Sequence, residues 1–369
     1  MNRRLRIAML GVRGVPASYG GFETCVEEVG KRLAAAGHEV TVYCRSSHYA
    51  ERLETYAGMR LVYLPSIRRK TLDTFTHTTL SVLHALTRSY DVHFVFIAAN
   101  SPFTLPLRLA GRRLALNPDG LEWKRTKWGP FGRAFFKFGE RVACLVADRL
   151  IADCPGIRDY YVQTYGTDCD VIAYGAEVQV RPQPTVLGDY GVEPGRYFLQ
   201  ITRFEPENHP HLTIEAFSHL DTDMKLLLVG GTPYHSPYAQ GIAAARSERV
   251  VLPGFVYDKE VLRQLWGHCH AYVHGNSVGG TNPALLQSMA AGCFTLAVDI
   301  AFNRDVLQGG GIYFQPTTEA LAQAMQWSLD HRADLEPYRQ AAVQRIREHY
   351  SWDDIARKYE ELALRLARK

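Results

Sequence analysis

No apolar run in the sequence approaches the roughly 20 residues that cross a bilayer, which excludes a membrane-spanning helix. The basic start, residues 1–6, leads into a short apolar strand that stops at Gly11 with Arg13 following, which does not fit a signal peptide. Paired cysteine spacing is also missing. The seven cysteines, Cys25, Cys44, Cys144, Cys154, Cys169, Cys269 and Cys293, are odd in number and lie mostly in apolar segments, so they read as buried reduced thiols. A cytoplasmic location is the expectation. His268-Cys269-His270 and His209-Pro210-His211 are too short to form zinc sites alone, and Asp221-Thr222-Asp223 reads as a solvated turn. Neither a metal nor another cofactor is expected. A strong charge of one sign is lacking too: 42 Lys and Arg stand against 38 Asp and Glu. No nucleic-acid-binding motif accompanies the basic residues, so nucleic acid is not an expected partner.

What is present is the composition of a globular protein, 46% hydrophobic and 22% charged, in a chain of 369 residues that exceeds a single core. Apolar runs at 5–12, 39–44, 60–64, 92–98, 113–116, 150–152 and 171–174 read as buried strands, with amphipathic helices such as 22–36 and 131–147 between them. Pro182, Pro184, Gly188, Gly191, Pro194 and Gly195 interrupt this pattern and suggest a linker over 178–195. A second alternating series follows, with strands at 197–202, 225–229, 250–252, 271–274, 295–298 and 311–314. The expectation is an α/β chain of two Rossmann-like domains facing across a cleft, 1–177 and 196–350. A final helix, 352–368, has acids in its first turn and bases in its last, as the helix dipole favours.

Four segments carry candidate chemistry. Gly11-Val12-Arg13-Gly14 and Gly20-Gly21 follow a strand and open a helix, but their spacing is not that of a dinucleotide loop, so NAD is rejected. Gly20 and Gly21 can still present backbone N–H groups to a phosphate or a sugar. In the run from His274 to Gln287, Gly279, Gly280 and Thr281 precede Asn282, a good N-cap, and Pro283, a good first helical residue. Unpaired N–H donors at such a helix start suit a diphosphate. Arg203 ends the first strand of the second series, where a guanidinium suits a phosphate, although an ion pair with Glu205 or Glu207 is the plainer alternative. Asp119 and Glu122, past another strand end, are the acids best placed to touch a sugar hydroxyl, and a simple Asp119-Gly120 turn is the alternative. Finally, Arg108, Arg112, Arg113, Lys124, Arg125, Lys127, Arg133, Lys137 and Arg141 interleave with Trp123, Trp128, Phe131, Phe135, Phe136 and Phe138. That is either a solvated helix or a surface that meets anionic lipid or a pyrophosphate-linked acceptor.

At these residues the chain resembles the retaining glycosyltransferases of family 4, which have the GT-B fold, and within them the bacterial branch of β-1,4-rhamnosyltransferases. The likeness is carried by 11–23, by Asp119-Gly120-Leu121-Glu122-Trp123-Lys124-Arg125, by Tyr174-Gly175-Ala176-Glu177, by 203–208 and by 278–283. It implies a nucleotide-sugar donor held mainly by the second domain, at Arg203, Asn208, His274, Gly279, Gly280, Thr281, Asn282 and Gln287, with Gly20 and Gly21 opposite. It implies a glycan or lipid-linked acceptor at Arg13, Tyr19, Glu23, Trp123, Lys124 and Arg125. It further implies that the last helix, within 351–369, crosses back to the first domain. Front-face substitution with Arg203, Asp119 and Glu122 as catalytic residues would follow. The chain departs from the wider family at Gly279 and Gln287, where the family has glutamates, at Asn208, where it has lysine, and at Asp119, where many members have histidine. A donor of the dTDP-L-rhamnose type, a UDP- or GDP-hexose, a sugar-nucleotide 2-epimerase and a non-catalytic binding homologue are the competing expectations.

Overall fold

Near-continuous Val, Ile and Leu runs form strands that are buried on both faces, and the computed structural model assembles them into two parallel sheets. It describes residues 3–17, 20–67, 72–126, 128–232 and 234–368. The chain divides into one unit of Met1–Tyr174 with Trp352–Lys369 and a second of Gly175–Ser351.

In the first unit the strands are β1 Arg6–Leu10, β2 Glu39–Arg45, β3 Thr55–Tyr56, β4 Met59–Leu64, β5 Val92–Phe96, β6 Leu114–Asn117, β7 Arg149–Ala152 and β8 Cys169–Val171. Their order across the sheet is β3-β4-β2-β1-β5-β6-β7-β8. Only β3 runs antiparallel, against β4, through a turn at Ala57 and Gly58 that both adopt positive φ. The last helix, Trp352–Ala367, packs on this unit and not on the one that precedes it in sequence. Its Tyr359 is fully buried, edge-on to Phe94, with its hydroxyl 3.4 Å from Asn117 Nδ2 and 3.9 Å from Cys25 Sγ.

In the second unit the strands are β9 Tyr197–Arg203, β10 Lys225–Gly231, β11 Val250–Gly254, β12 Ala271–His274, β13 Thr295–Val298 and β14 Gly311–Phe314, in the order β11-β10-β9-β12-β13-β14. The period-two alternation of each strand fills two cores. Phe198, Leu226, Leu228, Val273 and Leu296 lie on one face, and Tyr197, Leu199, Leu227, Val229 and Tyr272 on the other. The stretch 178–195, expected to be a bare connection, is packed onto the second unit. Leu187 and Val192 join the Tyr197 core, Val186 N–H donates to Gln264 Oε1 at 3.1 Å, and His268 Nε2 donates to the Pro182 carbonyl at 2.7 Å. Its prolines and glycines shape a path over that surface.

Candidate active site

In an open parallel sheet, the loops that leave two neighbouring strands in opposite directions open a crevice at their C-terminal ends. In the second unit this reversal falls between β9 and β12, and the two segments singled out in the sequence, 203–208 and 275–282, are the loops that leave there. Hydrogen bonds knit them together. Asn208 Nδ2 donates to the Arg203 carbonyl at 2.9 Å, and Gln200 Nε2 donates to the Asn208 carbonyl at 3.0 Å. His209 Nδ1 donates to the Gly275 carbonyl at 2.7 Å, and the Ser277 hydroxyl donates to the Glu207 carbonyl at 2.9 Å. Gly275 has to be glycine here, because a Cβ at that position would overlap the Asn208 carbonyl oxygen.

Arg203 is half-buried at the end of β9, and its guanidinium makes no hydrogen bond or ion pair among the described residues. The alternative ion pair with Glu205 is not formed, since that carboxylate accepts from the Tyr234 hydroxyl instead. Across the loop, Asn282 caps the helix Pro283–Ala290 by accepting from Ala284 N–H at 2.9 Å. Gly279, at φ 133°, faces open space, and Thr281 is buried. The helix start thus directs N–H groups, and Arg203 a positive charge, to the same sheet edge. One turn along that helix, Gln287 Oε1 accepts from Gln179 Nε2 at 3.3 Å.

Two residues of this set stand behind the others. The Asn208 amide is buried and spent on the loop, so it fixes the backbone that carries Arg203. The His274 side chain is wholly enclosed, and neither ring nitrogen has a partner among the described residues. Burial pulls its pKa down to about 3, so the ring is neutral.

In the first unit the strand order reverses between β1 and β5. Here Gly20 precedes the helix Gly21–Ala35 at φ 116°. The Glu23 carboxylate turns back to accept from Arg13 N–H at 3.1 Å, and Glu27, one turn on, accepts from Ala17 N–H at 2.6 Å. The Arg13 carbonyl accepts from Arg45 N–H at 2.7 Å. Tyr19 lies outside the described residues. Asn100, which the sequence reading passed over, ties the two loops together: its amide donates to the Gly11 and Phe96 carbonyls at 3.1 and 2.8 Å. A polar side chain that is buried just past the end of the apolar run 92–98 was the available signal. Ile97 and Asp119, at the ends of the adjacent strands β5 and β6, both hold positive φ, 73° and 76°. Strain of this kind in a β-branched residue is uncommon and collects at functional sites.

The 122–125 segment is largely occupied with itself. Glu122 accepts from Trp128 Nε1 at 3.2 Å and pairs with Arg125. The Trp123 ring lies beneath Lys137 Nζ, 4.2 Å from its centroid, and beside Tyr160. Lys124 is exposed. Of the two candidate acids, Glu122 therefore stabilises the loop, whereas Asp119 stands half-buried at the strand edge.

Two parallel-sheet α/β domains, each with a loop pair at its strand-order reversal, constitute the GT-B fold. Sucrose-phosphate synthase from Thermosynechococcus elongatus superposes with a TM-score of 0.84 at 18% identity, over 97% of this chain and 98% of its own. HepE of Anabaena, solved with UDP-glucose, gives 0.79 at 16% identity over 97% and 99%. The UDP-forming α,α-trehalose-phosphate synthase of Burkholderia xenovorans, solved with glucose-6-phosphate, gives 0.77 at 13% identity over 98% and 100%. In sequence, residues 190–349 match the family Glycosyl transferases group 1, and residues 5–177 match a domain of unknown function (DUF1972). No curated protein matches the chain.

Proposed function

We propose that the chain transfers a sugar, with retention, from a nucleoside diphosphate sugar to a glycan or lipid-linked saccharide. The observation that carries this reading is the Arg203 guanidinium, without a partner among the described residues, at the C-terminal end of β9, where the loop to the capped start of Pro283–Ala290 also leaves the sheet. As the glycosidic bond breaks, negative charge gathers on the leaving diphosphate, and a fixed guanidinium with fixed N–H groups stabilises it. The nucleotide and nucleotide sugar held by HepE agree with a donor of this class. A thermal-shift panel of nucleoside diphosphates and nucleotide sugars tests the reading, because a ligand that binds only the folded state raises its stability. If none of them shifts the melting temperature, the donor site is refuted.

The donor we assign is dTDP-L-rhamnose. Gln287 occupies the position where the resemblance implies a carboxylate bonded to both ribose hydroxyls. Its carbonyl oxygen already accepts from Gln179 and keeps one lone pair, enough for the single 3′-hydroxyl of a deoxyribose. Wild-type protein should bind dTDP at least as tightly as UDP or GDP, and Gln287→Glu should improve the ribose nucleotides more than dTDP. Calorimetry that shows a wild-type preference for UDP or GDP would reject this donor while leaving the transferase reading intact.

We further propose a membrane contact at the helix Pro130–Val146. Phe131, Phe138 and Leu145, seven residues apart, are 87, 53 and 72% exposed along one stripe. Arg133, Lys137 and Arg141 line its flank. No helix among the described residues is long and apolar enough to cross a membrane. This face fits an anionic bilayer surface, with the acceptor presented there. Flotation with anionic vesicles should show binding that weakens with salt and is lost in Phe131→Asp/Phe138→Asp. Binding indifferent to lipid charge, salt and these substitutions would leave the stripe as bare surface.

A further inference from the structure

The second unit has a cavity of about 530 Å³ at the opposite edge of its sheet from Arg203, and nothing in the transfer reading uses it. It lies at the N-terminal ends of β12 and β13, between the ends of the helices Lys259–His268 and Pro283–Ala290 and the face of the helix Glu336–His349. Its volume falls in the range of small-molecule sites.

Three guanidiniums border it. Arg339 and Arg347 project from one helix face, and Arg181 comes from the segment that enters the unit. Arg181 is set in place by contact. Pro182 and Arg181 run against Gly267, where an added Cβ would lie 3.1 Å from Pro182 Cδ, and His268 donates to the Pro182 carbonyl. Arg181 and Arg347 are exposed and make no hydrogen bond or ion pair among the described residues. Arg339 donates to the His270 carbonyl at 3.2 Å and lies 3.8 Å from Glu336, the one acid in the lining. Trp266 also lines the cavity and is 7% exposed.

We infer that this cavity is a second ligand site, and that it takes a compact phosphorylated molecule. Guanidinium forks match phosphate oxygens in geometry and charge. Arg181 lies six residues after the unit begins at Gly175, and Arg347 four before it ends at Ser351. A ligand that bridges them ties together the two ends of this unit's chain.

The probe is inorganic pyrophosphate, titrated calorimetrically at fixed ionic strength into Arg203→Ala, in which the donor phosphate contact is removed. Saturable binding should persist there. Adding Arg181→Ala and Arg347→Ala should raise Kd at least tenfold with the melting temperature unchanged, since both side chains are exposed. Citrate in place of pyrophosphate separates phosphate recognition from general polyanion attraction and should bind less tightly. The inference is overturned if pyrophosphate does not bind Arg203→Ala, if the two arginine substitutions leave Kd unchanged, or if citrate binds equally well. None of these outcomes bears on the donor site, which sugar transfer reports separately.

Discussion

Arg203→Ala should lower kcat/KM roughly 30- to 1,000-fold, which corresponds to about 2–4 kcal/mol for one lost charge-stabilising group. Stability should change by no more than about 0.5 kcal/mol, because the side chain is half-exposed and its guanidinium has no partner among the described residues. Arg203→Lys should recover only part of the loss, since an ammonium keeps the charge but not the two-pronged donor geometry. The measurement is the initial rate with whichever nucleotide sugar the wild type turns over, alongside a melting curve. A variant that works at the wild-type rate would make Arg203 an ordinary surface residue and remove the main support for the donor site.

The second large effect is expected at a residue with no side chain. Gly275→Ala places a methyl group against the Asn208 carbonyl oxygen and 2.9 Å from Gln200 Nε2. One loop must move, and with it go the Gln200–Asn208 and His209–Gly275 hydrogen bonds. Overpacking of this sort costs about 1–3 kcal/mol, so the melting temperature should fall by several degrees. Donor nucleotide affinity should fall at least about tenfold, because Arg203 and the capped helix are held in register by those bonds. Gly241→Ala is the control. Gly241 lies within the helix Pro237–Ala244 with nothing near its missing Cβ, and alanine there should be neutral or stabilising. Equal behaviour of the two variants would show that the loops are not coupled through Gly275.

Much of the architecture is visible in the residue pattern. β12, β13 and β14 fall on the apolar runs 271–274, 295–298 and 311–314, because strands buried on both faces have no alternative composition. β3 is not visible: two residues, Thr55 and Tyr56, are too few to show a period. The stretch 178–195 has the composition of a linker, but what holds it down is Gln264 and His268, some 80 residues away. The site divides in the same way. The cap at Asn282 is a local rule and is found where the rule puts it. The occupation of Asn208 by the Arg203 backbone, of Glu122 by Arg125 and Trp128, and of Trp123 by Lys137 depends on how loops fold back. Residue type shows what a side chain can bond to; only the fold shows which partner reaches it first.

The position of the helix Trp352–Ala367 bears on the order in which the molecule comes into being. A ribosome delivers residues 175–351 as one uninterrupted piece, so the second unit can close on itself as soon as it has emerged. The first unit cannot. Phe94, Cys25 and Asn117 are made before residues 175–351, but the side chain that covers them, Tyr359, is made after those residues. The first unit is therefore completed only after the second, and an apolar face of it stays uncovered throughout translation of residues 175–351.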